Sequence, residues 1–200
     1  MNRNLLFTGL MTFIVLIGMA FSNPQPASVR VDTSASYIVW KGYKVTGSHT
    51  GKVMIKNGDL QFDEAGALAG GGFEIDMTTI NCEDLQGEWA DKLVGHLKSD
   101  DFFGVATYPT AKFVITSVVS RGKPGEYKIV GDLTIKETTK EIKFNALLNE
   151  VDGKNVATAD ITIDRSEFDV RYGSGSFFDN LGDKTIYDEF ELSINLVAAK

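Results

Sequence analysis

Cysteine occurs once in the 200-residue chain, at Cys82, and histidine twice, at His49 and His96. One cysteine allows no internal disulfide, so the fold must be stabilised by its core alone. A lone cysteine is more often an inert, partly buried side chain than a nucleophile, because reactivity needs a lowered thiol pKa. The two histidines form no ligand-spaced pair, which weighs against a metal site built from them and an acid such as Asp100. Phosphate and nucleophile motifs are missing as well. Gly70-Gly71-Gly72 is followed by neither lysine nor a helical pattern, and Gly173-Ser174-Gly175-Ser176 has the wrong spacing for a nucleophile elbow. Three glycines within a strand pattern signal a bulge or a close backbone approach instead. Nor is there an excess of cations: the net charge of −7 repels phosphate backbones and disfavours nucleic-acid partners.

One long apolar run is present. Leu5 to Phe21 is interrupted only by Thr8, Gly9, Thr12 and Gly18, follows Arg3, and ends in Ala20-Phe21-Ser22 before Asn23-Pro24-Gln25-Pro26. This layout predicts a signal peptide over 1–22 with a small-x-small cleavage site, and so an exported protein of the periplasm or beyond. An uncleaved membrane anchor is the alternative, since the run approaches the roughly 17–25 residues that span a bilayer. Residues 23–30 read as a polar linker and 31–200 as one domain.

Within that domain the hydrophobic period is two. Tyr127, Ile129, Leu133 and Ile135 alternate with polar neighbours, as do Ile142, Phe144, Ala146 and Leu148, and Phe190, Leu192, Ile194 and Leu196. Each run describes a half-buried strand. Further strands are predicted over Tyr37–Val45, Lys52–Lys56, Leu60–Asp63, Ala67–Asp76, Ala111–Val119 and Val156–Asp164. Asn57-Gly58, Lys123-Pro124-Gly125 and Asp152-Gly153 read as tight turns, which make their flanking strands antiparallel. Between Asn81 and Ser99, Leu85, Trp89, Leu93 and Leu97 recur every fourth residue, the spacing of one helical face. Gly87 and Gly95 favour one or two short helical pieces there. The expected fold is all-β, an antiparallel barrel or sandwich with a short helical insertion. Thirteen Phe, six Tyr and two Trp suit a lined cavity or a plain core equally well. Arg165, between a strand and Phe168, is expected near the mouth, with a salt bridge to Asp164 or Glu167.

The order of the motifs resembles the YceI-like family of exported, lipocalin-like, polyisoprenoid-binding proteins. The resemblance is carried by Trp40-Lys41-Gly42, Gly47-Ser48-His49-Thr50-Gly51 and Phe73-Glu74-Ile75-Asp76-Met77. It continues through Gly95-His96-Leu97-Lys98-Ser99-Asp100-Asp101-Phe102-Phe103, Gly131-Asp132-Leu133-Thr134-Ile135-Lys136, Asp164-Arg165-Ser166-Glu167-Phe168 and Leu181-Gly182-Asp183. The chain departs from the family pattern in the stretch after Trp40 and at Glu137, where glycine is usual. The resemblance implies an extended antiparallel lipocalin-like barrel, capped by the helical insertion, around a long apolar channel. It implies an isoprenoid lipid, a quinone or a polyprenyl phosphate, as bound ligand, with no catalytic cofactor and the membrane only as a source of that ligand.

The expected channel wall is Trp40, Phe73, Phe113, Leu133, Phe144 and Phe168, and the expected mouth is His96, Asp100 and Arg165. Burying a prenyl tail needs apolar area and a few polar groups at the mouth, not a catalytic group. Two other readings stay open. One is an enzyme acting on the head group through His96, Asp100 and Arg165; the other is an exported protein-interaction module. A homodimer is compatible with either.

Overall fold

The computed structural model describes residues 27–199, so the expected leader over 1–22 and the start of the linker lie outside the described residues. Among these residues, alternating apolar positions give nine strands. They are β1 (Ala27–Arg30), β2 (Tyr37–Lys44), β3 (Gly47–Phe62), β4 (Leu68–Asp76), β5 (Thr110–Ser120), β6 (Glu126–Ile135), β7 (Thr138–Val151), β8 (Lys154–Asp164) and β9 (Ile186–Ala199). One helix, α1 (Glu88–Lys98), lies between β4 and β5. Neighbours pair antiparallel in the order β1-β3-β2-β9-β8-β7-β6-β5-β4, and β3 also pairs with β4, closing the sheet on itself. Closure leaves no open edge in the ring and gives every strand one inward face.

The barrel has eight strand positions, one of them occupied by two strands. β2 pairs with residues 47–54 of β3, and β1 pairs with residues 59–62 on the same side. Ala27–Arg30, expected as linker, is therefore part of the barrel wall. Between β1 and β2, Val31 bridges to Ala198 and Asp32 N–H donates to Val197 O. Buried Ser36 completes the repair: its hydroxyl accepts from Val197 N–H at 2.9 Å and reaches Val197 O at 3.3 Å. A buried ladder position left unpaired would lose a full backbone hydrogen bond, and the serine supplies it.

Asn57-Gly58 is not a hairpin. β3 runs straight through it, with a register shift against β4 between Ile55 and Asn57. The glycine serves close approach: a Cβ on Gly58 would stand 2.7 Å from Gly72 O and from Phe73 Cβ. The local turn preference yields to a long bent strand that pairs on both sides. Gly72 plays the same part on β4, where a Cβ would come within 2.6 Å of Phe113 O. The other two turns form as expected. Asp152 and Gly153 take φ of 51° and 75°, the double left-handed conformation of a two-residue hairpin.

At one end of the barrel the connections are short: residues 63–67, 121–125 and 152–153. At the other end two long connections, 77–109 and 165–185, fold over the opening. The first carries α1, a single helix whose Leu97 is buried and Leu93 half-buried. Leu85 precedes the helix, and Trp89, expected on the inner face, is 71% exposed at its first turn. Among the described residues no helix is long and apolar enough to cross a membrane.

Candidate functional site: an apolar cavity under the helix

A cavity of about 270 Å³ lies inside the covered end. Its wall comes from inward positions near the ends of β2, β3, β4, β5, β6 and β9: Trp40, Val53, Ile75, Ala111, Leu133, Phe190 and Leu192 among them. Leu93, His96 and Leu97 of α1, with Phe102 and Phe103, form its roof. Trp40 is 8% exposed, and its indole Nε1–H donates to Asn81 O at 3.0 Å. The polar edge of the ring is thereby satisfied outside the cavity.

Arg165, His96 and His49 reach the lining from distinct environments. Arg165 is 1% exposed. Its Nε donates to Tyr187 O at 3.2 Å, Nη1 to Val170 O at 2.7 Å and Nη2 to Ile186 O at 3.0 Å. Nη2 also pairs with Asp188 Oδ1 at 3.3 Å, and the guanidinium sits 5.2 Å from the Phe102 ring centroid. The ion-pair partner is thus Asp188, not Asp164 or Glu167: Asp164 instead caps the following turn by accepting from Ser166 N–H at 2.8 Å. Burial lowers the Arg165 pKa, while Asp188 and Asp164 oppose the shift. Three of its five N–H donors bond backbone carbonyls and its charge faces Asp188, which leaves little of the cation for a ligand.

His96 is different. Its Nε2 is buried with no hydrogen-bond partner among the described residues. The ring packs edge-on against Phe102 at 5.7 Å and Tyr172 at 4.3 Å. Burial pushes its pKa below the usual histidine value, with Asp101 opposing, so the imidazole is neutral near pH 7. An unpartnered buried nitrogen is rare in proteins and marks a place where something else supplies the bond.

His49 also lines the cavity, a role the sequence reading did not give it. Its Nδ1 lies 2.9 Å from Asp84 Oδ2, while Asp84 Oδ1 accepts from Thr50 N–H at 3.0 Å and from the Cys82 thiol at 3.2 Å. Desolvation pushes the Asp84 pKa up, but Thr50, His49 and Cys82 outweigh it and bring it down to about 2. Burial and the Asp84 contact raise the Cys82 thiol, the opposite of nucleophile activation. The Gly47–Gly51 motif was the available signal for His49, since alternation along β3 brings it to the inner rim.

Of the sequence-selected residues, the cavity gathers Trp40, Leu133, His96 and Arg165. Phe73, Phe113 and Phe144 do not line it. They pack on one another deeper in the barrel, with centroids 5.6 Å apart for Phe73–Phe113 and 5.5 Å for Phe113–Phe144. Phe168 is buried at 1% exposure, beside a separate polar cleft that holds Asp100, Tyr108, Lys136 and Glu137. The channel is also shorter than the resemblance implied. Below the level of Ile38, Val53 and Ile75, Leu60, Phe62, Leu68 and Ile129 are buried core residues that do not line the cavity. Among the described residues no group of three or more His, Cys, Asp or Glu side chains could hold a metal.

A closed antiparallel barrel, roofed by a helix over an apolar cavity, agrees with the family model of the YceI-like domain, which matches residues 29–198. The chain belongs to the YceI-like family. It is 38% identical over 90 residues to a UPF0312 protein of Shewanella denitrificans, a stretch that covers 45% of this chain and 44% of that relative. The chain therefore aligns with less than half the length of that curated relative. Among solved structures it resembles Burkholderia cenocepacia BcnA, with a TM-score of 0.66 and 23% identity over 84% of this chain and 99% of that one. It also resembles a polyisoprenoid binding domain from Saccharophagus degradans, with a TM-score of 0.64 and 13% identity over 88% of this chain and 99% of that one. At these identities the likeness establishes a shared fold.

Proposed function

We propose that this protein is an exported carrier or store for an isoprenoid lipid with an uncharged, oxygen-bearing head group of the quinone type. The observation that carries the reading is the buried, unpartnered His96 Nε2 in a mainly apolar cavity. A neutral imidazole there meets the head-group oxygen, while the aliphatic and aromatic wall takes the tail. At about 0.8 kcal/mol per buried methylene, a ten-carbon prenyl segment returns about 8 kcal/mol before the cost of association. A phosphate or diphosphate head group fits less well. Its charges need free cations, and Arg165 is already held by Asp188 and three carbonyls. Lys44 is the other cation on the lining, and it is solvent-exposed. The fold shared with the Saccharophagus degradans polyisoprenoid binding domain supports the isoprenoid tail. The export part rests on the 1–22 pattern.

The reading is of binding: the wall is mainly aliphatic and aromatic, and the nearby Cys82 thiol is raised rather than activated. The test is extraction of the protein, purified from a bacterial host, with organic solvent and mass spectrometry. It is followed by titration with a benzoquinone bearing a ten-carbon tail and with geranyl diphosphate. Recovery of prenyl lipid and tighter binding of the quinone support the proposal; a protein that takes up neither overturns it. Fractionation of the producing cells and N-terminal sequencing check the export.

A further inference from the structure

Directly below the cavity the rings of Phe73, Phe113 and Phe144 fill inward positions of β4, β5 and β7. Phe113 is the next inward residue on β5 after the lining Ala111, and its cross-strand partner on β6 is the lining Leu133. Phe73 is the next inward residue on β4 below the lining Ile75 and pairs with Phe113. Phe144 reaches the Phe113 ring from β7. The wall is recessed to admit the central ring: a Cβ on Gly131 would come within 2.7 Å of Phe113 Cε2 and 2.5 Å of Val114 O. A larger residue at 131 would push the ring aside, so the glycine and the phenylalanine form one fitted unit on the neighbouring strands β6 and β5.

Resting on the isoprenoid reading, we propose that Phe113, braced by Phe73 and Phe144, is a floor that sets the length of tail the protein accepts. The space above it is a cavity of about 270 Å³. On β6 it is bounded by only two inward layers, Leu133 and Ile135, about 7 Å apart, a depth that suits a tail of about two five-carbon units. Interiors are packed densely enough that a longer tail cannot pass the three tilted, mutually packed rings without displacing them. Longer tails must leave carbons in water at the mouth, and those carbons add nothing to affinity. The protein then discriminates among isoprenoids by length through a filled core position, independently of the head group.

The test is a chain-length series on the full protein, with geraniol, farnesol and geranylgeraniol as probes and affinities read by calorimetry and native mass spectrometry. In the wild type, affinity should stop rising at geraniol, with geranylgeraniol no tighter. Phe113→Ala should let geranylgeraniol bind at least tenfold more tightly than it binds the wild type, with geraniol little changed. Where Phe113→Ala does not fold by circular dichroism, Phe113→Leu should show the same trend, smaller in size. Wild-type affinity that climbs steadily through geranylgeraniol overturns the floor and leaves the lipid reading intact. A folded Phe113 variant with unchanged length preference also overturns it. Binding of no prenyl alcohol and no quinone overturns the lipid reading and the floor together.

Discussion

Arg165 Nη2 stands 3.3 Å from Asp188 Oδ1, and the pair ties the turn after β8 to the first residues of β9 across the mouth of the barrel. Ser176 adds a second hold by donating its hydroxyl to Asp188 Oδ2 at 2.6 Å. The guanidinium is almost wholly removed from water, so its partner matters more than the partner of a surface ion pair would. Asp188→Ala leaves a buried cation with carbonyl acceptors alone. The expected loss is about 3 kcal/mol. In a domain of this size that is a fall of about 6–12 °C in melting temperature. Thermal and denaturant melts of the variant beside the wild type check it.

Asp84 predicts an acid-dependent contribution to stability. Its folded pKa, about 2, lies below the ordinary 3.8, so between those values the unfolded chain binds more protons than the native one. The stabilisation is therefore complete above about pH 4 and is lost as pH falls through about 2. Asp84→Asn should be less stable than wild type at pH 6, and the two should converge near pH 2. Urea unfolding at both pH values measures the difference, and parallel losses in both proteins would contradict the assignment.

His96→Phe keeps the aromatic packing against Phe102 and Tyr172 and removes the free nitrogen. A quinone should bind the variant about fivefold to tenfold more weakly, the worth of one hydrogen bond. Geraniol-length hydrocarbon without an oxygen should bind both proteins alike. The two titrations separate a head-group contact from a packing role.

The two tryptophans should behave oppositely. Trp40→Ala empties a buried wall position and should cost about 3–5 kcal/mol. Trp89 projects into solvent with Lys92 over its ring at 5.1 Å, so Trp89→Ala should stay within about 0.5 kcal/mol of wild type. Equal losses would mean that α1 packs its other face on the barrel.

Strand alternation was legible because burial on one face leaves a period of two, and it survives in β6, β7 and β9 almost residue for residue. The double-glycine-like turn at Asp152-Gly153 was legible for the same local reason. Asn57-Gly58 misled because close packing of β3 on β4 asks for glycine as strongly as a turn does. The cavity was legible only in part. Alternation tells which side chains point inward, but not at which height along the barrel the interior is empty and where it is filled. Phe73 and Phe113 point inward like Trp40 and Leu133, yet they sit one layer deeper. Arg165 and Asp188 are separated by the whole 165–185 connection, so no spacing in the sequence links them.

The split strand has a consequence for how the molecule can be held. β1 begins beside Phe62 and β9 ends beside Lys154, so the chain enters and leaves at the end with the short turns. The mouth, with His49, Tyr187 and α1, lies at the opposite pole, some 50 Å of strand away along β3. Both ends of the described segment therefore join the barrel at the pole opposite its opening, so a fusion or label placed next to Ala27 or Ala199 leaves the cavity mouth uncovered.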